Sequence, residues 1–215
     1  MRTKVNIIKG DITAIPAEAI VNAANSKLRS GSGVCGAIYA AAGPALEIDT
    51  LALHVKIGLV TTGEAVVTSS HDLLAKNGTK VIVHAVGPIY KDNGANGEAE
   101  LLRRAYIRSL QEASLAGAKS ISFPCISTGV YGFPPEKAAV IALDAIMEYS
   151  IRTSVFDAIN IVCFLDSDMN LYLDAQANFF GTQTSTSTIT GTPVTLPTVD
   201  MFETTSDSIL GIKLI

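Results

Sequence analysis

The sequence predicts an α/β protein, a three-layer α/β/α sandwich around a mixed, mostly parallel sheet. Three observations carry this expectation. Short apolar runs with strand character alternate along the chain with longer helical patterns. The strands are apolar on both faces, as strands covered by two helical layers must be. The 215 residues, 48% of them hydrophobic, suffice for one continuous core rather than two full domains.

Taken in order, Val5–Ile8 reads as a first strand that ends at the turn residues Gly10 and Asp11. Ala19–Val21 is a second short run, followed by the polar loop Asn22–Ser32. Cys35–Ala42 is an alanine-rich helix stopped by Gly43 and Pro44, and Ala45–Lys56 continues as another helix. Ala65–Thr68 and Val81–Val86 read as strands. Glu98–Ala116 is the longest helical pattern, closed by Gly117 in the position where a left-handed residue ends a helix. Ser120–Phe123 is a strand that runs into Pro124, and Pro135–Tyr149 is a helix with proline where the missing N–H costs nothing. Ala158–Phe164 is a last apolar strand, and Asn170–Phe180 a last helix.

From Gly181 the composition changes: 14 of the 28 residues from Gly181 to Ser208 are Ser or Thr, with two prolines and no basic residue. This divides the chain into a domain over 1–180 and a Ser/Thr-rich acidic tail over 181–215, read as a solvated extension. The alternative reading is a partner-binding or secretion address that ends in the apolar Ile209–Ile215. The charge follows the same division. Residues 1–152 hold 15 Lys/Arg and 13 Asp/Glu, whereas residues 153–215 hold only Lys213 against seven acids.

Several function classes lose support at this level. The longest charge-free run, Ala175–Val199, is full of Ser and Thr, and Ser30–Leu46 carries four glycines and Pro44, so neither resembles a spanning helix of about 20 apolar residues. A membrane association is not expected. The start, MRTKVNIIKGD, lacks the apolar core of a signal peptide. Cys35, Cys125 and Cys163 are an odd number without CxxC or Cys/His ligand spacing, which points to a reducing, cytoplasmic setting, unpaired thiols and no metal. No basic run interleaved with aromatics offers a nucleic acid a groove.

What remains is a small anionic ligand held by backbone groups. Two glycine-rich segments suit that role: Ser30–Gly36, leading into the Cys35–Ala42 helix, and Ser127–Phe133, following the Ser120–Phe123 strand. At the carboxyl edge of a parallel sheet, both would present N–H groups to a phosphate, and two such loops facing each other can hold a diphosphate. Gly31, Gly33 and Gly36 also spell GxGxxG. A dinucleotide site would need that motif close behind a strand and an acid about 20 residues on; here a long polar loop intervenes, and Glu47 and Asp49 come too early. Asp11, just after the first strand, is placed to accept from an exocyclic amine such as adenine's, or to serve as a turn residue. Asn22 and Asn25 suit sugar hydroxyls or a positioned water, and Asx turns equally. Cys125 and Cys163 read as core thiols, and His84 as a hydrogen-bonded core histidine.

Five motifs now carry a family resemblance: GDIT at Gly10–Thr13, IVNAAN at Ile20–Asn25, GSGVCGAIYAAAG at Gly31–Gly43, VIVHAVGP at Val81–Pro88 and ISTGVYGFP at Ile126–Pro134. Their order and spacing resemble the macrodomain family of ADP-ribose-binding modules, over residues 3–180. The resemblance implies ADP-ribose or mono-ADP-ribosylated proteins as partners, and no cofactor. It implies that Asp11 meets the adenine amine beside the Ile12 backbone, and that Phe164 or its neighbours border the base. Gly33 and Val34 would meet the distal phosphate and ribose. Ser127, Thr128, Gly129, Val130 and Tyr131 would wrap the diphosphate, with Tyr131 against the distal ribose.

The family contains readers that only bind and hydrolases that cut. Catalytic members are similar to this chain at Asn25, which in them positions ribose and the attacking water. Many also carry an Asp ten residues later, where this sequence has Cys35. A thiol of ordinary pKa is mostly protonated near neutrality and does not replace a carboxylate base. Position near a helix N-terminus would lower the Cys35 pKa; a nucleophilic Cys35 would need that, and His54, His71 and His84 have no recognisable relation to it. The expected function is therefore ADP-ribose binding with hydrolysis of mono-ADP-ribosyl linkages or O-acetyl-ADP-ribose, water being activated by the substrate's own oxygens. A silent reader is the alternative.

Overall fold

A computed structural model describes residues 3–180 and the two-residue strand Val194–Thr195. The sheet is built from β1 (Lys4–Lys9), β2 (Ala19–Ala23), β3 (Ala65–Ser69), β4 (Val81–Ala85), β5 (Ser120–Phe123) and β6 (Ala158–Cys163), with β7 (Val194–Thr195) at one edge. Its order is β3-β4-β2-β5-β6-β1-β7. The five strands from β4 to β1 are mutually parallel; β3 runs antiparallel to β4, and β7 antiparallel to β1. The mixed, mostly parallel sheet matches the expectation, and it delivers five strand C-termini to one edge.

Helices α1 (Gly33–Ala42), α2 (Ala45–Ile57) and α3 (Asp72–Asn77) cover one face, and α4 (Glu98–Leu115), α5 (Pro135–Arg152) and α6 (Asp166–Phe180) the other. Alternation of side chains along each strand feeds both layers. Ile20, Ile82 and Val162 pack under Ile38, Leu46 and Leu73 on the first face, while Val21, Ile121 and Ile161 join Leu102, Tyr106 and Ile146 on the second. The local stop signals act as the sequence suggests. Gly43, at φ 83°, ends α1 with its N–H on Tyr39 O, and Pro135 opens α5.

Three local expectations are corrected. Helix α3 was not anticipated, because six residues between His71 and Gly78 are too few to show a helical period. Helix α6 begins four residues earlier than expected, with Asp166 and Asp168 in a first turn whose free N–H groups favour acids. Phe164 is not the end of the last strand. Strand β6 stops at Cys163, whose carbonyl accepts the Gly10 N–H at 3.0 Å, and Phe164 turns outward, 73% exposed.

His84 is the enclosed core histidine the sequence suggests. Its Nδ1 lies 3.1 Å from Asn22 Nδ2 and its Nε2 2.9 Å from Thr68 Oγ1. Complete burial lowers its pKa to about 4, so the ring is neutral and accepts from Asn22 while donating to Thr68. Among the described residues no helix is long and apolar enough to cross a membrane. Apart from Val194–Thr195, the segment 181–215 and the expectation of a solvated tail lie outside the described residues.

Candidate functional site

The loops that leave β1, β2, β4, β5 and β6 converge at the carboxyl edge of the sheet and enclose two adjoining cavities. The first, of about 300 Å³, reaches from Asn25 and Cys35 to Gly87 and Tyr131. The second, of about 350 Å³, reaches from Asp11 and Ile12 to Phe164 and Asp168. Gly33, Val34, Cys125 and Gly129 line both, so the two form one bent cleft. No Lys, Arg or His is among its lining residues.

Where the two cavities adjoin, two of the four shared residues are glycines, Gly33 and Gly129, so backbone is accessible there. Gly33, at φ +61°, starts α1 in a conformation that residues with side chains resist, and the first N–H groups of that helix have no intrahelical partner. Opposite, the loop after β5 is tied down from below: Thr128 Oγ1 donates to Cys125 O at 3.0 Å, and Phe133 N donates to Ser127 O at 3.0 Å. Tyr90 N donates to Tyr131 O at 2.8 Å, which ties the chain after β4 to the loop after β5. The N–H groups of Thr128, Gly129, Val130 and Tyr131 have no partner among the described residues. Two sets of free N–H groups facing one space form an anion cradle that needs no cationic side chain. Ser127 lies in the left-handed region at φ 68°, and its buried Oγ has no partner.

Asn25 holds its own loop and keeps one hydrogen to spare. Oδ1 accepts from Lys27 N at 3.1 Å and Arg29 N at 3.2 Å, and Nδ2 donates to Arg29 O at 2.7 Å. An amide has two acceptor lone pairs and two N–H donors, so a single N–H is left for a ligand. Asn25 can donate to a hydroxyl or a water, and it cannot take a proton from either.

Asn22 departs from the expectation of a ligand contact. It sits within β2 with no exposure, reaches neither cavity, and uses Nδ2 on His84; its Oδ1 is buried without a partner. The alternation of the strand decides this, because a side chain on the α1 face of β2 is roofed by α1 itself. Cys35 lines the first cavity at 5% exposure, with its thiol 3.8 Å from Arg29 O. Burial pushes the thiol pKa up, against opposing hydrogen bonds from Asn22 and the Gly31 backbone. The lowering expected from the helix N-terminus is thus overturned by desolvation, and a protonated thiol is neither base nor ready nucleophile.

At the other end, Asp11 Oδ1 accepts from both Thr13 N and Thr13 Oγ1 at 2.8 Å. The turn role is thus observed and occupies one oxygen, and the exposed carboxylate keeps Oδ2 free. Ile12 forms the apolar wall and Phe164 the rim. Sequence reasoning missed Gly87, Cys125 and Asp168 as lining residues. Gly87 lay inside a quoted motif, whereas Cys125 read as a core thiol and is instead half-buried in the cleft floor; Cys163 is fully buried as expected. No set of three His, Cys, Asp or Glu side chains among the described residues is grouped to hold a metal ion.

Comparison with known proteins gives a consistent set of relatives. A family model described as Macro domain matches residues 21–142. The O-acetyl-ADP-ribose deacetylase 1 of Pantoea vagans is 43% identical over 170 residues, covering 79% of this chain and 96% of that protein. The O-acetyl-ADP-ribose deacetylase of Escherichia coli K12 is 41% identical over 172 residues, covering 80% and 94%. Among solved structures, a variant Oceanobacillus iheyensis macrodomain with ADPR superimposes with a TM-score of 0.77 at 34% identity, covering 84% of this chain and 95% of its own. The Trypanosoma brucei macrodomain in complex with ADP-ribose gives 0.70 at 30%, covering 79% and 68%.

Proposed function

The chain belongs to the Macro domain family, and on that premise we propose that its cleft binds ADP-ribose and that the protein hydrolyses O-acetyl-ADP-ribose or mono-ADP-ribosyl linkages on proteins. The observation that carries this reading is the backbone cradle at the cleft's waist: free N–H groups from Gly33, Val34 and residues 128–131 meet in a space lined by no cation. A diphosphate is the ligand group that such a cradle suits, and the cavities on either side accommodate a base and a second ribose. Adenine enters the second cavity, with its amine on Asp11 Oδ2, the Ile12 backbone alongside and Phe164 over the ring. The distal ribose enters the first cavity between Asn25 and Tyr131. The relatives named for O-acetyl-ADP-ribose deacetylation support the reaction class.

The chemistry follows from what the first cavity lacks. Its lining includes no carboxylate and no histidine, and the Cys35 thiol stays protonated. The protein's contribution is then position. The spare Asn25 N–H holds a ribose oxygen or the water, the cradle fixes the diphosphate, and Ile126 and Val130 line the same cavity with apolar atoms. Water attacks the acyl carbon while one of its protons passes to a phosphate or hydroxyl oxygen of the substrate. The bond from that carbon to the ribose oxygen then breaks, the ribose oxygen takes up the proton held by that substrate oxygen, and the carboxylic acid is released. Neither metal nor cofactor enters this scheme, and a cytoplasmic setting suits the three free thiols.

A silent reader is favoured by one observation, the thiol at position 35 where an acid would serve as base. Titration with ADP-ribose, followed by incubation with O-acetyl-ADP-ribose and with a protein mono-ADP-ribosylated on acidic residues, separates the two. Binding with release supports the hydrolase, binding without release leaves the reader, and no binding overturns both.

A further inference from the structure

Asp168 lines the second cavity and has no task in the scheme above. It stands in the first turn of α6, where the helix N-terminus favours a negative charge. It makes no hydrogen bond or ion pair with any described residue, unlike Asp166 two positions earlier, which pairs with Lys9 at the end of β1. The carboxylate is thus left facing the cleft without neutralisation.

Its place along the cleft is informative. Asp11 and Phe164 mark the base end of the second cavity, and Cys125 marks the junction where that cavity joins the first. Asp168 lines the second cavity together with Cys125. Contact with Cys163 and burial push the Cys125 thiol well up, and the Asp168 charge adds to the same effect. Asp168 shares this cavity with Asp11 and Phe164 and with Thr128 and Gly129 of the cradle loop, and a nucleotide that spans from the base contact to the cradle lays its adenosine-side ribose in the same cavity.

A carboxylate accepts hydrogen bonds from sugar hydroxyls and repels a phosphate placed on the same sugar. Dinucleotide-binding folds use an acid at the ribose for that purpose. Here the second cavity is lined by two carboxylates, Asp11 and Asp168, and by no Lys, Arg or His that would receive an extra phosphate. We propose that Asp168 reads the hydroxyl edge of the adenosine-side ribose and makes the site selective for ADP-ribose over its 2′-phosphorylated, NADP-derived counterpart. The inference rests on the reading of the cleft as an ADP-ribose site.

The test is calorimetric titration of the full chain with ADP-ribose, 2′-phospho-ADP-ribose, and the 2′-deoxy and 3′-deoxy analogues of the adenosine ribose. Wild type, Asp168→Ala and Asp168→Asn are compared after their melting temperatures have been matched. Wild type should prefer ADP-ribose over the 2′-phosphate by about tenfold or more. Asp168→Ala should shrink that preference several-fold and be indifferent to at least one deoxy substitution that weakens wild type. Asp168→Asn keeps an acceptor without the charge, so it should relax the exclusion of phosphate while retaining most affinity for ADP-ribose. Equal binding of the two ligands by wild type, or undiminished discrimination in both folded variants, overturns the role of Asp168 while leaving the ADP-ribose site standing. Failure of wild type to bind ADP-ribose overturns both.

Discussion

Gly87 and Ser127 are in such close approach that no side chain fits between them: a β-carbon on Gly87 would stand 2.6 Å from Ile126 Cγ2 and closer still to Ser127 Oγ. Gly87 follows β4 and Ser127 follows β5, and these strands flank β2 on either side. The contact therefore braces the two walls of the first cavity across the strand between them. Ser127, already at φ 68°, has little room to retreat. Gly87→Ala should cost about 1–3 kcal/mol of stability and distort the anion cradle. Chemical denaturation and ADP-ribose titration should both register the change; unaltered values would show that the walls move independently.

Asp11 holds Thr13 with one oxygen, and on the proposed reading the other meets the adenine amine. Asp11→Ala should weaken ADP-ribose binding by about 1–3 kcal/mol, part of it through loss of the Thr13 turn. Asp11→Asn retains an acceptor for Thr13 but can turn an N–H₂ toward the adenine amine. It should therefore lose comparable affinity with a smaller fall in melting temperature. Undiminished affinity in both variants would remove Asp11 from the base contact.

Asn25 and Cys35 bear on rate rather than affinity. Asn25→Asp keeps the acceptor for Lys27 and Arg29 N–H but loses both the spare N–H and the bond to Arg29 O, so release of acetate from O-acetyl-ADP-ribose should fall by about 100-fold, with a lowered melting temperature reporting the loop contact and ADP-ribose titration reporting the remaining affinity. Cys35→Asp places a half-enclosed carboxylate at the helix N-terminus and should raise the rate by about tenfold or more, with a new acidic limb in the pH–rate profile. The wild-type profile should show no limb from this thiol around neutrality, because burial pushes its pKa above that of an ordinary thiol. A slower, folded Cys35→Asp variant would mean that substrate oxygens already supply all the base the reaction uses.

His84 couples stability to pH. In the unfolded chain the imidazole takes up its proton near pH 6.5, and in the fold only near 4. Between these values the unfolded state binds more protons, so this contribution to stability is fully present above pH 6.5 and is lost as the pH falls toward 4. The loss from this group amounts to at most about 3 kcal/mol. His84→Gln removes the titration, and its unfolding free energy should fall less steeply between pH 6.5 and 4.5 than that of wild type. Parallel curves would assign acid sensitivity to the carboxylates instead.

Much of the site was legible because its parts are local. A strand end followed by glycine-rich chain and then a helix places N–H groups at a sheet edge whatever the rest of the molecule does, so Gly33, Val34 and the loop from Ser127 to Tyr131 could be named in advance. The turn role of Asp11 was also readable, since an Asx turn needs only neighbours in sequence. Asn22 and Cys125 were misjudged for a common reason. Each lies at the boundary between strand and loop, where a single step of alternation or a half-turn of exit direction moves a side chain between cavity and core. Asp168 carried no sequence signal at all, because its place in the cavity lining depends on α6 starting at Asp166 and packing beside β1 and β6.

The alternation of strands and helices, the stops at Gly43 and Gly117, the proline start of α5 and the ordered motifs are consequences of short-range sterics and hydrogen bonding, and the sequence by itself determined them. Only the tertiary structure decided which of those residues share a space. The order β4-β2-β5-β6-β1 brings loops separated by more than a hundred residues into one cleft, and burial at their meeting point keeps Cys35 protonated and His84 neutral. Desolvation and enclosure depend on every element that packs around a group, so no window of sequence contains them.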